Sequence, residues 1–280
     1  EEKFFQALVD DFSLSVTALN TYLRAPEEFV ENVLLRVPRA KPEPMVFGSA
    51  VHMALETMFK PLVENQGEVG GGEQQQDLAK LETVLSQFET ALQKEIMTID
   101  DFERRLDYGK EVLSDYYQVL QDEALGQIKP LFVERFFGYG WSKTMLGDIH
   151  LTGRIDRVDW LDQEKRLVRV IDYKTGRAKS KNFIEGKIAS AGLSAREQEL
   201  PETIQGPYKR QLLFYKLLTD LDESFIPTVT EGMFDFVEPN SRGKFVQRNF
   251  VLHDEAVNDL KELIKEVMAE IRELKFLESA

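Results

Sequence analysis

The chain predicts an α/β fold, or its α+β neighbour, with a central mixed sheet flanked by helices. Three observations carry this. Apolar residues recur at helical spacing as far as about residue 124, and the period shortens to that of strands from Ile128 onward. After residue 207, helices and strands alternate. With 280 residues, 42% hydrophobic and 30% charged, the composition is that of an ordinary globular chain, long enough for one large core or a core with a helical appendage.

The elements follow in order. Ser13 or Ser15 can cap a helix carrying Val16, Leu19, Tyr22 and Leu23 on one face, and Pro26 opens a second helix through Phe29, Val33 and Leu34. Pro38, Pro42 and Pro44 predict a loop, and Phe47 to Phe59 a helix with Val51, Leu55 and Met58 on its apolar face. Residues 65–76, with Gly70-Gly71-Gly72, read as a flexible connection. Two helices, about Asp77 to Ile96 and Asp100 to Ala124, form a helical insert over 77–125. The sheet core follows over 128–252, within one domain spanning 1–280.

In that core, Leu131 to Tyr139, Met145 to Trp160 and Leu167 to Tyr173 read as strands. Ala178 to Pro201 is polar and irregular, and long enough to be a mobile loop over a site. Pro207 to Leu221 reads as a helix. Glu231 to Val237 and Lys244 to Leu252 make a hairpin around Pro239 to Gly243, and Asp254 to Leu274 closes the chain as a helix.

Several classes drop out. Without cysteine there is no disulfide, thiolate zinc site or cysteine-ligated iron–sulfur cluster, which suits a reducing, cytoplasmic setting. No apolar run approaches the roughly 20 residues of a membrane helix, and no signal-peptide pattern opens the chain. The absence of Met before Glu1 points to a piece of a longer protein, although tag removal leaves the same mark. A net charge of −14 argues against a wholesale electrostatic grip on nucleic acid. Yet Arg154 to Lys181, which includes Arg177, holds nine basic residues against five acidic ones. Such a local strip suits phosphate, though a solvated surface hairpin would read the same way.

The chemistry concentrates in Gly153-Arg154-Ile155-Asp156-Arg157-Val158-Asp159 and Val170-Ile171-Asp172-Tyr173-Lys174-Thr175-Gly176. Paired side by side, these strands bring Asp156, Asp172 and Lys174 to one sheet edge. Two acids can hold a divalent cation, and a nearby ammonium can position or deprotonate a water. Asp172 and Lys174, two residues apart, share a face. The bland alternatives are a surface ion pair of Asp156 with Arg154 or Arg157, and a cross-turn ion pair of Asp172 with Lys174. His52 sits one helical turn from Glu56, with Gly48 and Ala50 permitting close approach of another element; lone helical histidines are more often structural than ligating. Tyr208, Gln211 and Tyr215 share a helix face that can hydrogen-bond or stack on a nucleic-acid strand. Glu134 is a weaker third acid, and His150 and His253 have no supporting context.

These blocks, in this order, resemble the RecB-type branch of the PD-(D/E)XK nuclease superfamily. The resemblance runs from Leu14 to Tyr22 with Ala25-Pro26-Glu27-Glu28-Phe29, through Gly48 to Glu56 and the two strand segments, to Gln211-Leu212-Leu213-Phe214-Tyr215. It implies a restriction-endonuclease-like core and a metal-dependent DNA nuclease for single strands or duplex ends, fused or bound to a helicase. It implies that His52, Asp156, Asp172 and the main-chain carbonyl of Tyr173 bind Mg²⁺ or Mn²⁺. Lys174 would orient the attacking water, and Gln211 and Tyr215 would support the site and the strand. Relatives with an iron–sulfur cluster carry Cys-Pro where this chain has Ala25-Pro26, so the cluster-free subgroup is indicated. A nuclease fold that binds DNA without cutting is the alternative.

Overall fold

The computed structural model describes residues 2–64, 77–124 and 127–278, so the connection expected over 65–76 lies outside the described residues. The helices are α1 (Glu2–Asp10), α2 (Val16–Arg24), α3 (Pro26–Phe29), α4 (Glu43–Glu64), α5 (Leu81–Gln93), α6 (Ile99–Val119), α7 (Lys181–Ile184), α8 (Ala195–Gln198), α9 (Pro207–Leu221) and α10 (Asp254–Arg272). The strands are β1 (Pro130–Phe137), a small hairpin of β2 (Met145–Leu146) and β3 (Ile149–His150), then β4 (Gly153–Asp162), β5 (Leu167–Lys174), β6 (Thr228–Phe236) and β7 (Val246–Val251). Five of them form one mixed sheet in the order β1-β4-β5-β6-β7, in which only the β5–β6 pair is parallel.

The sheet is the middle of three layers. Val158, Val170 and Phe234 pack with Leu19 of α2, Leu212 and Leu217 of α9 and Ile264 of α10. Ile171, Tyr173 and Met233 pack with Val51, Leu55 and Phe59 of α4, Phe88 of α5 and Tyr116 of α6. Strands covered on both faces read as near-continuous apolar runs, as β5 does.

Local chemistry sets the boundaries. Ser15 accepts the Ala18 N–H and caps α2. α4 starts at Glu43, before the expected Phe47, because Pro44 falls in its first turn, where a missing N–H costs nothing. β1 stops at Phe137 because Gly138 turns the chain at φ 79°. The strand expected from Met145 to Trp160 is broken: Gly147, at φ 63°, folds β2 back on β3, and β4 begins at Gly153. His150 then ties this hairpin down, its Nε2 2.9 Å from the Gly138 carbonyl and its Nδ1 2.7 Å from the Ser13 hydroxyl.

The segment 178–201 differs most from expectation. Instead of an irregular loop it holds α7 and α8, and Ser194 and Glu197 form a capping box on α8. The organiser is Arg210 on α9, whose guanidinium is fully buried. It donates to Asn20 Oδ1 at 2.8 Å, to the carbonyls of Ile204 and Gln205 at 3.0 and 2.6 Å, and to the buried carboxylate of Glu197. With four acceptors on one planar fork, the segment is fastened to α2 and α9.

Candidate metal and phosphoester site

Register brings the acids together. β4 and β5 pair Val158 with Val170 and Arg157 with Ile171, so one further step sets Asp156 opposite Asp172. β1 and β4 pair Val133 with Arg157 and Arg135 with Ile155, which sets Glu134 opposite Asp156. Three acidic residues thus lie in one row across three adjacent strands, whose backbones run about 4.8 Å apart.

Strict strand alternation is interrupted along this row. Glu134 takes φ 53°, a left-handed conformation that costs a non-glycine residue about 1 kcal/mol or more. Phe132 and Phe137, five residues apart, both pack with the cluster under α9, and so do Ile155 and Val158, three apart. An odd separation would place each pair on opposite faces. The break lets Asp156 leave the core under α9 and meet α4, where its Oδ1 lies 3.3 Å from His52 Nδ1. α4 reaches the exit of β5 because a Cβ on Gly48 would come within 3.0 Å of Thr175 Oγ1.

Asp156 is buried and accepts the Tyr173 N–H at 2.8 Å. Neither neighbouring arginine pairs with it: Arg154 Nε lies 2.9 Å from Glu134, and Arg157 pairs with Asp159. The surface ion-pair reading therefore fails. Asp172 is held more fully. Its Oδ1 accepts from Gln211 Nε2 and Tyr215 Oη, each at 2.7 Å, and its Oδ2 lies 2.7 Å from Lys174 Nζ. Lys174 also donates to Gln211 Oε1 at 2.9 Å, and Gln211 donates to Tyr215 Oη at 2.8 Å. Gln211 and Tyr215, one turn apart on α9, close a ring around the acid and the lysine. Tyr215 is buried, so its hydroxyl serves Asp172.

Crowding shifts the titrations. Burial, reinforced by Asp156, pushes the Glu134 carboxyl up to about 7. Burial raises Asp172 as well, with Lys174 opposing and Asp156 adding to the rise. Burial alone would lower His52 and Lys174, but Asp156 overrides it for the histidine and Asp172 for the lysine, and both rise.

The donor set fits a divalent cation. Among the described residues, one ligand atom each from His52, Glu134 and Asp156 lie within 4.8 Å of one another. His52 Nδ1, Glu134 Oε2 and Asp172 Oδ2 are buried and make no aligned hydrogen bond, each resting on an ion-pair contact, with Asp156, Arg154 and Lys174 respectively. Such contacts leave these atoms open to a cation, and a mixed nitrogen and oxygen set tolerates Mn²⁺ well. Glu134, the weaker candidate in sequence, thus belongs to the tightest trio, with Asp172 adjoining it in the hold of Lys174, Gln211 and Tyr215. The signal for Glu134 was an acid set inside the apolar run Leu131 to Phe137. A small opening of about 130 Å³, lined by Asn20, Lys174, Pro207, Tyr208 and Gln211, leads to the lysine. Arg177 stands apart, exposed beyond β5 in a depression of about 460 Å³ shared with Glu238 and Arg248.

A mixed sheet between helical layers, with an acid row, a histidine and an acid–lysine pair at its edge, defines an α/β protein equipped to hold a divalent cation beside a fixed ammonium. The family model of the PD-(D/E)XK nuclease superfamily matches residues 13–279, and the chain belongs to that superfamily. Among solved structures, the crystal structure of LHK-Exo in complex with dAMP is similar at 11% identity, covering 82% of this chain and 96% of that one, with a TM-score of 0.26. No curated protein matches the chain. Among the described residues, no helix is long and apolar enough to cross a membrane.

Proposed function

We propose that this chain is a metal-dependent DNA nuclease of the RecB type, in its cluster-free form. It would act as an exonuclease on single strands or duplex ends in DNA repair or recombination, working beside a helicase domain or subunit. The observation that carries the reading is the juxtaposition of ligand atoms from His52, Glu134 and Asp156, all within 4.8 Å of one another, with a lysine fixed against Asp172. His52, Glu134 and Asp156 would hold the ion, with Asp172 and the Tyr173 carbonyl completing its surroundings. A bound Mg²⁺ or Mn²⁺ supplies Lewis acidity toward the phosphoryl oxygen and lowers the pKa of a bound water.

The remaining work falls to this chain's side chains. Lys174 Nζ is held between Asp172 Oδ2 and Gln211 Oε1, and its raised pKa keeps it an ammonium. It is therefore a donor that orients water and stabilises charge growing on the phosphate, not the base that takes the water's proton. Gln211 and Tyr215 keep Asp172 aimed through three hydrogen bonds. Arg177 would meet the strand further along. The −14 charge favours a helicase partner that supplies much of the DNA grip.

The test incubates the protein with end-labelled single- and double-stranded DNA and Mn²⁺ or Mg²⁺, beside Asp172→Ala and Lys174→Ala. Metal-dependent cleavage lost in both variants is the expected result. Tight DNA binding with no cleavage by the unaltered chain would replace this reading with a non-cutting, nuclease-fold DNA-binding domain.

A further inference from the structure

Strand directions bring five chain ends to one edge of the sheet. β1 ends and β4 begins there, as the pairing of Phe137 with Gly153 shows, while β5 and β6 end and β7 begins there, with Lys174 beside Phe236 and Phe236 beside Val246. The acid row runs from Glu134 on β1 to Asp172 on β5, with Lys174 at the end of β5. Four strand spacings separate β1 from β7, roughly 19 Å. The two ends of this edge are chemically unlike.

At the β7 end, Arg177, Lys179 and Lys181 follow β5, and Arg242, Lys244 and Arg248 come from the β6–β7 hairpin. Among the described residues none of the six has a carboxylate at ion-pair distance, in a chain with 49 acidic and 35 basic residues. The cations nearer the acid row, Arg154, Arg157, Arg169 and Lys174, are all paired. Glu238, the acid lining the same depression, is occupied by the Gly176 N–H and the Tyr108 hydroxyl. Two of the six are held in place: Arg248 Nε donates to the Lys179 carbonyl at 3.1 Å, and Lys179 lies 4.6 Å over the Phe183 ring.

At the β1 end stands an aromatic loop. Trp141 is 97% exposed, with Tyr139 and Phe136 also exposed. The loop is nonetheless anchored, because Ser142 and Thr144 are buried while Trp141, Lys143 and Met145 alternate outward. Ser142 Oγ donates to Asp222 at 2.6 Å and accepts the Gly138 N–H, and Thr144 Oγ1 donates to the Leu151 carbonyl at 2.5 Å. Arg154 joins the exposed end of β1, just before this loop, to the acid row, its guanidinium 5.8 Å from the Phe136 ring and its Nε 2.9 Å from Glu134.

We propose that this edge is the track of one single nucleic-acid strand, its phosphates on the six-cation wall and its bases stacked on the Trp141 loop, with the acid row between. The proposal rests on the nuclease reading and deepens it by placing the strand. Unpaired cations in an acidic protein call for a polyanion, and an exposed indole on a rigid loop is the form base stacking uses.

The test is binding of a fluorescein-labelled 15-nucleotide oligo(dT) to the metal-free protein, followed by anisotropy between 50 and 200 mM KCl. The triple variant Arg177→Ala/Arg242→Ala/Lys244→Ala is expected to flatten the log–log salt slope by about 2, at ~0.7 per phosphate contact. Trp141→Ala should bind about 5- to 150-fold more weakly with the salt slope unchanged. It should also remove the oligonucleotide's quenching of tryptophan emission, Trp160 being the only other tryptophan. Arg177, Arg242, Lys244 and Trp141 are exposed, so thermal unfolding should match the unaltered chain. Unchanged affinity and slope in either variant overturns the track, and so does a Trp141→Ala effect confined to capture of a protein partner. Mn²⁺-dependent cleavage assayed in parallel separates the two readings. Cleavage with unaltered variant binding overturns the track alone, whereas altered binding without cleavage keeps the track and overturns the nuclease.

Discussion

Two clusters of buried charge share β4 and β5, one at the acid row and one behind it against α4 and α6. In the rear cluster Arg157 is fully used: Nε and Nη2 donate to Asp159 at 2.8 and 3.0 Å, Nη1 donates to the Tyr173 hydroxyl at 2.8 Å, and the guanidinium lies 4.3 Å over Phe59. Asp235 beside it accepts from Tyr116 at 2.8 Å and Gln247 at 3.0 Å. In the front cluster the cation Lys174 is equally fixed, but His52, Glu134 and Asp172 each keep a buried atom that rests on an ion-pair contact with no aligned hydrogen bond. The rear keeps one buried atom without a hydrogen bond, Asp235 Oδ1. The rear holds its cation through aligned hydrogen bonds, whereas the front holds its acids and histidine partly through ion-pair contacts that a bound cation can replace.

The largest expected effect breaks the rear cluster. Arg157→Ala leaves Asp159 buried without its cation, and chemical denaturation should show a loss of about 3–5 kcal/mol. An unchanged midpoint would mean that Asp159 finds water or simply takes a proton. The front should answer in the opposite currency. Asp172→Asn should cut cleavage by about 10³-fold, near 4 kcal/mol of barrier, read as kcat against the unaltered chain.

A smaller effect follows from titration. Glu134 sits near 7 against an ordinary 4.5, and Asp172 is raised too, so between those values the folded chain holds protons that the unfolded chain has lost. Stability of the metal-free protein should therefore fall as pH rises from about 4.5 to about 7. A bound ion needs those carboxylates ionised, so the Mn²⁺-induced rise in Tm should grow from pH 6 to pH 8. Calorimetric titrations near pH 6.5 in buffers of different ionisation enthalpy should detect proton release, and their agreement across buffers would refute the assignment. Glu134→Gln should reduce that release and weaken Mn²⁺ binding. The mildest change is Arg177→Ala, expected to lower affinity for DNA only a few-fold, with a shallower salt slope.

The front cluster was largely legible in sequence because its parts are short-range signals. Asp172 and Lys174 share a face by strand alternation, and Gln211 and Tyr215 share one by helical spacing. Glu134 was harder, since its place in the trio depends on a left-handed backbone and on register with β4, neither of which leaves a local trace. The order in 178–201 was hidden for a similar reason: Arg210 and Glu197 look like ordinary surface charges until α2 arrives from the other end of the chain. Arg157 misled in the other direction, because a strand arginine beside acids suggests solvent and here marks the interior.

Arg210 has a consequence for how the protein is made. It joins Asn20 across 190 residues of sequence, next to the Gln211 that fixes Asp172 and Lys174. Contacts of such separation close late in folding, and a chain emerging from the ribosome has its acids exposed to the cell well before α9 appears. Until then Asp172 lacks Gln211 and Tyr215, and Lys174 lacks the carbonyl oxygen that aims it. A chain stalled short of residue 211 would carry Asp156, Asp172 and Lys174 without the two side chains of α9 that orient the acid–lysine pair.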